Sequence, residues 1–345
     1  RSLGIGTQYK LACDRSEDSL KVYNANFLPE SLLLENAENL IKHSKYSEVD
    51  GLRVPTVSEA TLTPQLESSV GKIDVFVAGP PCEGNSNLNN KTRRIDDRNN
   101  HYVIAALIAA KLESKIVIIE NVQTVKKAKQ NVVAVAKALL ASVGYVVQNS
   151  EYILSAEKFG TAQKRVRHFL IATKVTENHN PVDYSGFVHE PLSVMDAIGD
   201  LVTLNSTNLM NAHSDLSQEN RKRIDYLFDN KVYELPDSQR PGCHRDKEHT
   251  YFNVYSRMYP DQPSYTITTG FQSPGRGRFV HPELRRGLTP REGARLQGFP
   301  DYFKWRTPLC RVVKNSITRL IGDAVPPNLG EAAMLIALAS CKNPI

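Results

Sequence analysis

Two apolar runs constrain this chain more than any other feature. Val75-Phe76-Val77-Ala78 and Ile116-Val117-Ile118-Ile119 are rich in β-branched residues and unbroken by polar ones. Such runs belong to strands covered on both faces, as in a sheet with helices on either side. The intervening sequence agrees. Residues 102–112 are rich in Ala, Leu and Ile and predict a buried helix. Val132, Ala136, Leu139, Leu140 and Val143 share one helical face, and Gly144 is placed to stop that helix. Further strands are expected at 9–14, 145–147 and 169–172. Strand and helix in repetition predict an α/β fold with a doubly wound, mostly parallel sheet.

The texture changes after about residue 176. Residues 176–280 are rich in Asn, Asp, Ser, Pro and Tyr and lack long periodic segments. They predict a second, smaller domain of irregular and β structure. Regular structure is expected to resume at Thr289, where Thr289 and Glu292 fit a capping box with Pro290 at the first helical position. A helix over 327–339 is expected to return to the first domain. The expected division is 1–176, 177–314 and 315–345, consistent with about two domains for 345 residues.

Composition excludes several classes. A hydrophobic content of 41% excludes a wholly disordered chain. The apolar runs 102–110 and 332–339 both fall short of the roughly 18 residues of a membrane span. Five widely spaced cysteines without a CxxC pair argue for a reducing, cytoplasmic setting, against a disulfide framework and against a zinc site. Cys243, His244 and His249 resemble metal ligands only superficially, so no metal is expected. The net charge is +6, and residues 271–295 hold six arginines against two glutamates. That window predicts a polyanionic partner.

Four local features carry chemistry. Residues 79–86 (GPPCEGNS) follow the first apolar run, and ligands of open α/β sheets bind beyond the carboxyl ends of strands. Cys82 is placed there as a nucleophile on a proline-stiffened turn; a buried structural cysteine is the alternative. Glu120-Asn121-Val122 ends the next run, where a carboxyl can engage a substrate or simply cap a helix. Gln163, Arg165 and Arg167 share one face of an extended segment. Asp14 ends the first strand, where an acid accepts ribose hydroxyls or caps a helix.

Together with residues 289–301 (TPREGARLQGFPD) and 322–327 (GDAVPP), these motifs resemble, in kind and in order, those of the DNA cytosine-5 methyltransferases of bacteria and phages. The resemblance covers nearly the whole chain except roughly 180–255. It implies methyl transfer from S-adenosylmethionine to C5 of cytosine in duplex DNA, with S-adenosylhomocysteine as product. It implies Cys82 as the nucleophile toward C6, Glu120 as the acid on N3, and Arg165 and Arg167 as the arginines holding base and acid. It places the cofactor at Asp14, Pro80, Asp323, Ala324 and Val325. Residues 87–98 correspond to the loop that closes over the flipped base. Ser86, Lys91, Arg93, Arg94, Arg98 and Gln163, with Arg257, Arg276 and Arg278 of the variable region, become DNA-contact candidates. A monomer is implied, within a restriction–modification system but without a stable complex with the endonuclease, or as a solitary modifier.

Three departures stand out. The family's Gln after the nucleophile is Glu83 here, and a carboxylate beside a thiol slows attack unless a cation compensates. Glu83→Gln is therefore expected to retain or raise activity. The usual Asn of GNAVPP is Asp323. Asp14 lies only 13 residues from the start, so the first strand and its Gly-rich loop are absent from this stretch. An extension of about 15–30 residues is expected on motif spacing. The tRNA-methylating branch of the family is an alternative, although its Cys-Phe-Thr signature does not occur here. A DNA-binding relative without catalysis is another. A nicotinamide-dependent oxidoreductase accounts for the α/β pattern but for none of the motifs.

Overall fold

The computed structural model describes residues 6–85, 95–147, 152–174, 182–204, 208–245, 253–306 and 312–341. The chain divides into two units. Unit 1 comprises 1–154, 166–187 and 330–345; unit 2 comprises 155–165 and 188–329. Unit 2 thus takes in the short segment 155–165, and the return to unit 1 comes at Gly330 rather than at 315.

Unit 1 opens with β1 (Leu11–Asp14), α1 (Glu17–Phe27) and β2 (Ser31–Leu34), with β1 and β2 paired in parallel. Ser16 caps α1 by accepting from Ser19 N. Then follow β3 (Ile41–Lys42), β4 (Tyr46–Val49), β5 (Leu52–Pro55), β6 (Thr61–Leu62) and the short α2 (Pro64–Glu67). β4 and β5 form a hairpin, and β3 pairs with β6. The main sheet is built from β7 (Val75–Ala78), β8 (Ile116–Val122), β9 (Val146–Val147), β10 (Tyr152–Ser155) and β11 (Val166–Thr173). Two helices, α3 (His101–Lys111) and α4 (Val132–Ser142), lie between its strands in sequence.

The strand order is β10–β11–β8–β7, with β9 also on β11. β7 runs parallel to β8, but β11 runs antiparallel to both β8 and β9. The sheet is therefore mixed, not mostly parallel. Among the described residues no α-helix lies between β9 and β11, and short connections of this kind permit an antiparallel return but not a parallel crossover.

β8 has the environment its sequence requires: Ile116, Val117, Ile118 and Ile119 are all buried. Residues 105–110 of α3 are buried too, so that helix is apolar on every side and sits in the core. Leu139 and Leu140 of α4 join the same cluster. Gly144 ends that region in the left-handed conformation (φ +84°).

Unit 2 contains α5 (Val194–Ile198), α6 (Gln218–Asp229), α7 (Pro290–Leu296), α8 (Lys314–Asp323) and the start of α9 (Pro327–Ala339). Among its described residues the β expectation for 176–280 fails, since pairing is limited to isolated bridges such as Arg257 with Val280. Ile224 and Leu227 of α6 pack with Leu235 and Val280 instead. The Thr289 capping box forms as expected: Thr289 accepts from Glu292 N, and Glu292 accepts from Thr289 N. Gly322 has no room for a side chain, because a Cβ there would stand 2.3 Å from Thr269 N. No helix among the described residues is long and apolar enough to cross a membrane.

Candidate active site

The turn after β7 and the end of β8 meet at the carboxyl edge of the sheet in unit 1. Parallel pairing sets Ala78 beside Ile119, so Gly79 and Glu120 follow together. A Cβ on Gly79 would lie 3.7 Å from Glu120 Oε2, which places that carboxylate over the turn. Asn121 Nδ2 donates to Pro80 O at 3.1 Å and ties the two strand ends. On the other side of β8, Phe169 is the register partner of Glu120, and Arg167 is that of Val122. Arg167 is thus a diagonal neighbour of Glu120 across the ladder. Its Nε lies 3.0 Å from Glu120 Oε1, with both side chains more than four-fifths buried.

Cys82 sits three residues beyond Gly79, half-buried, with its carbonyl accepting from Asn85 N at 3.0 Å. Two segments flank it. Thr124 Oγ1, just after β8, donates to Asn85 O. Gln130 Nε2 donates to Asp96 O at 2.9 Å, joining the second segment to the first. Arg98 lies on that second segment. Its Nε and Nη2 donate to the two oxygens of Asp96 at 2.9 and 2.8 Å, and its Nη1 stands 3.8 Å from Glu83 Oε2. The hydrogen bonds from Arg98 hold the Asp96 carboxyl below the usual carboxylate range, against its partial burial. Ser86, Lys91, Arg93 and Arg94 lie outside the described residues.

The extended segment before β11 alternates as expected: Gln163 and Arg165 are buried, Lys164 and Val166 exposed. The inward residues have separate partners. Arg167 joins Glu120 in unit 1. Arg165 donates in unit 2 to Ile267 O and Gly322 O, both at 3.0 Å. Gln163 accepts from Ile267 N at 2.8 Å and donates to Gln297 Oε1 and Leu296 O. With its amide wholly buried and engaged, Gln163 has no face for DNA; this corrects the expectation of a contact there.

At the other candidate region of unit 1, Asp14 Oδ1 accepts from Ser16 N at 2.8 Å. Ser16, not Asp14, is the helix cap. A second acid appears that the sequence reading passed over. Glu35 follows β2, and its N–H donates to Asp14 O, so the two residues adjoin. Hydrogen bonds from Asn39 and then Asn36 hold the Glu35 carboxyl below its ordinary value. The signal for it in the sequence was an acid directly after the apolar run 32–34. In unit 2, Asp323 is exposed 3.5 Å from Arg319, and Ala324 O accepts from Gln297 Nε2 at 3.0 Å.

The profile of C-5 cytosine-specific DNA methylases matches residues 55–335. The chain belongs to this family. It is a DNA cytosine-5 methyltransferase, and the match takes in Cys82, Glu120 and Arg167. The chain is 40% identical to the type II methyltransferase M1.BsuMI of Bacillus subtilis over 331 residues, covering 95% of this chain and 73% of that protein. It is 30% identical to the type II methylase M.HgiDII of Herpetosiphon aurantiacus, covering 74% of this chain and 73% of the relative. The fold is similar to that of the S. pombe methyltransferase Dnmt2, with a TM-score of 0.58 at 17% identity, covering 95% and 90% of the two chains.

For a methylase of DNA, the placement of arginines in unit 2 matters, and here the sequence reading needs correction. Arg278 is 2% exposed, ion-paired with Glu234 and bonded to Arg257 O at 2.8 Å. It is not available to a phosphate. Arg257 donates to Pro282 O at 2.6 Å and lies 4.1 Å from the Phe228 ring centre. Arg285 pairs with Asp225 and Asp229, Arg286 with Glu292, Arg291 with Asp301, and Arg295 with Asp200 and Asp301. Five of the window's six arginines thus serve acids of their own unit. Arg276 remains exposed.

Proposed function

We propose that this methyltransferase modifies C5 of a cytosine flipped out of duplex DNA, with Cys82 attacking C6 and S-adenosylmethionine as methyl donor. The observation that carries the reading is the buried Glu120–Arg167 pair closed over Gly79, three residues before Cys82. C5 of cytosine is a poor nucleophile. Addition of the Cys82 thiolate at C6 opens the C5=C6 bond and moves its electron pair to C5, giving an enamine-like ring. Glu120 engages N3, and Arg167 fixes that carboxyl against the charge developing on the ring. Once C5 carries the methyl group, loss of its proton to a base and expulsion of the Cys82 thiolate restore the double bond. The ring is inaccessible within the duplex, so the base leaves the stack at an expense of a few kcal/mol.

S-adenosylmethionine supplies an electrophilic methyl group and departs as S-adenosylhomocysteine. The acids present fit such a molecule. Asp14 and Glu35 adjoin at the carboxyl ends of a parallel strand pair, where carboxylates accept ribose hydroxyls. Within unit 1, Pro80 is a further proposed contact. Asp323 stands where the family has Asn.

Unit 2 is assigned to target recognition, with Arg276 as its exposed cationic contact. Arg165 and Gln163 are positioning residues that brace the segments at Ile267 and Gly322. The test is transfer of labelled methyl from S-adenosylmethionine to duplex DNA, with Cys82→Ala as control. Label on DNA that disappears in the variant is expected. Label on tRNA alone overturns the substrate assignment, and label persisting in Cys82→Ala overturns the nucleophile.

A further inference from the structure

Glu83 is the residue of the site that its chemistry argues against. A carboxylate adjoining the attacking thiol opposes formation of the thiolate by like-charge repulsion. The structure supplies a cation at that point. Arg98 Nη1 lies 3.8 Å from Glu83 Oε2, and the rest of the guanidinium is clamped by Asp96. Asp96 has a side chain only 7% exposed, and its backbone is bound by Gln130, so the clamp is itself anchored. Arg98 acts electrostatically on both Glu83 and Cys82.

We propose that Arg98 is a positioning residue for the reaction: it offsets Glu83 and so keeps the Cys82 thiolate accessible in this chain. The inference rests on Cys82 being the nucleophile. Among the described residues, the charged groups around the turn include Glu83 on the turn itself, the Asp96–Arg98 clamp, and the Glu120–Arg167 pair at the ends of β8 and β11. Lys126 and Lys127 lie on the segment that binds Asn85. Asp96 holds one edge of the Arg98 guanidinium and leaves Nη1 toward Glu83, while Arg167 lies against Glu120. Glu83 is the acid next to the thiol in sequence, and Arg98 lies against it. The arrangement also reassigns Arg98, whose free-state role is at the thiol rather than on a phosphate.

The proposal predicts opposite effects for the two partners. Arg98→Gln exposes Cys82 to Glu83 and raises the pH at which the thiol reacts. Glu83→Gln lowers that pH, and the double variant returns it toward the starting value. Both side chains are partly exposed, so the effect is moderate, roughly threefold in reaction rate at pH 7.

The experiment is alkylation of Cys82 by iodoacetamide in the full chain without DNA, followed by peptide mass analysis across pH 6–10. Expected are a slower reaction at pH 7 in Arg98→Gln, a profile near the parent in Arg98→Lys, and recovery in Arg98→Gln with Glu83→Gln. An unchanged profile in Arg98→Gln overturns the proposal, as does a double variant that stays slow. The readout needs no catalysis. If Cys82→Ala retained methyl transfer, the nucleophile would be wrong, while the alkylation profiles would still report on the charge pair.

Discussion

Around Cys82, cations are drawn to acids that border the proposed reaction centre; in unit 2 they are drawn to acids that hold up the fold. Arg167 and Glu120 share a 3.0 Å contact at the open end of a sheet. Arg286 and Glu292 share a 2.7 Å contact inside unit 2, where Glu292 is 1% exposed and also closes the α7 capping box. The chemistry of the two pairs is alike, and their surroundings decide what each does. At the sheet edge, the pair adjoins the half-buried Cys82 turn, where the proposed chemistry takes place. In unit 2, the carboxylate is saturated by Arg286, Thr289 N and nearby His281. A charge count over 271–295 cannot tell these cases apart, because apart from Glu292 the acids that pair with its arginines lie outside the window, at 200, 225, 229, 234 and 301.

Variants should separate the two regions. The largest effect is expected for Cys82→Ala: loss of methyl transfer by at least about 10³-fold, the scale of deleting a nucleophile, with thermal stability retained. Next, Glu120→Gln and Arg167→Met should each lower turnover on the order of 10²- to 10³-fold in single-turnover assays, with little change in DNA affinity. Arg286→Met should do the reverse. It strands the buried Glu292 carboxylate and should lower unfolding free energy by about 3–5 kcal/mol in denaturant titrations, while specific activity at low temperature persists. A strong loss of activity without destabilisation would break the comparison.

A pH experiment sharpens it. Burial lowers His281 from its ordinary value to about 4, helped by Arg286 and Arg257 and opposed by Glu292. Its Nδ1 accepts from both Glu283 N and Leu284 N, which requires an unprotonated nitrogen. Between about pH 6.5 and 4 the unfolded chain therefore binds a proton that the folded one does not. Stability from this residue is complete above pH 6.5 and falls as pH drops toward 4, by up to about 3 kcal/mol. Glu292 adds a loss at lower pH. Its burial alone would raise its pKa, but Arg286, His281 and the Thr289 N–H outweigh that and hold it below the usual carboxylate value. Its contribution is present above the ordinary carboxylate range and is lost as pH falls through the depressed value. Urea unfolding from pH 7 to pH 4 measures the His281 loss and its continuation below pH 4 that of Glu292, and His281→Asn should flatten the upper part of the slope. The smallest effect is expected for Arg276→Ala: unchanged stability, and a salt dependence of DNA binding reduced by about one unit of log–log slope.

Much of the region proposed as catalytic was legible in the sequence as a place in the fold. β7 and β8 follow from uninterrupted β-branched runs, and chemistry placed just after such strands stands at a sheet's carboxyl edge. Position in the chain was enough to locate Cys82 and Glu120. It was not enough for Gln163, Arg165 and Arg167. Their alternation put all three on one face, yet the chain passes from unit 2 to unit 1 between Arg165 and Val166, so adjacent members of one motif serve different units. Nor did local pattern show that β11 runs antiparallel, since strand direction depends on where the chain returns.

The sequence by itself determined β1, β7, β8, β9, β11, α3 and α4 of unit 1, the α7 cap and the nearness of Cys82 to a strand end. Those properties depend on neighbours a few residues apart, where periodicity and capping act. Only the tertiary structure decided which charges remained for a partner. Arg278 meets Glu234 across 44 residues, Arg285 meets Asp225 across 60, and Arg167 meets Glu120 across the β8–β11 ladder. Electrostatic energy depends on distance and burial in space, and neither is written along the chain.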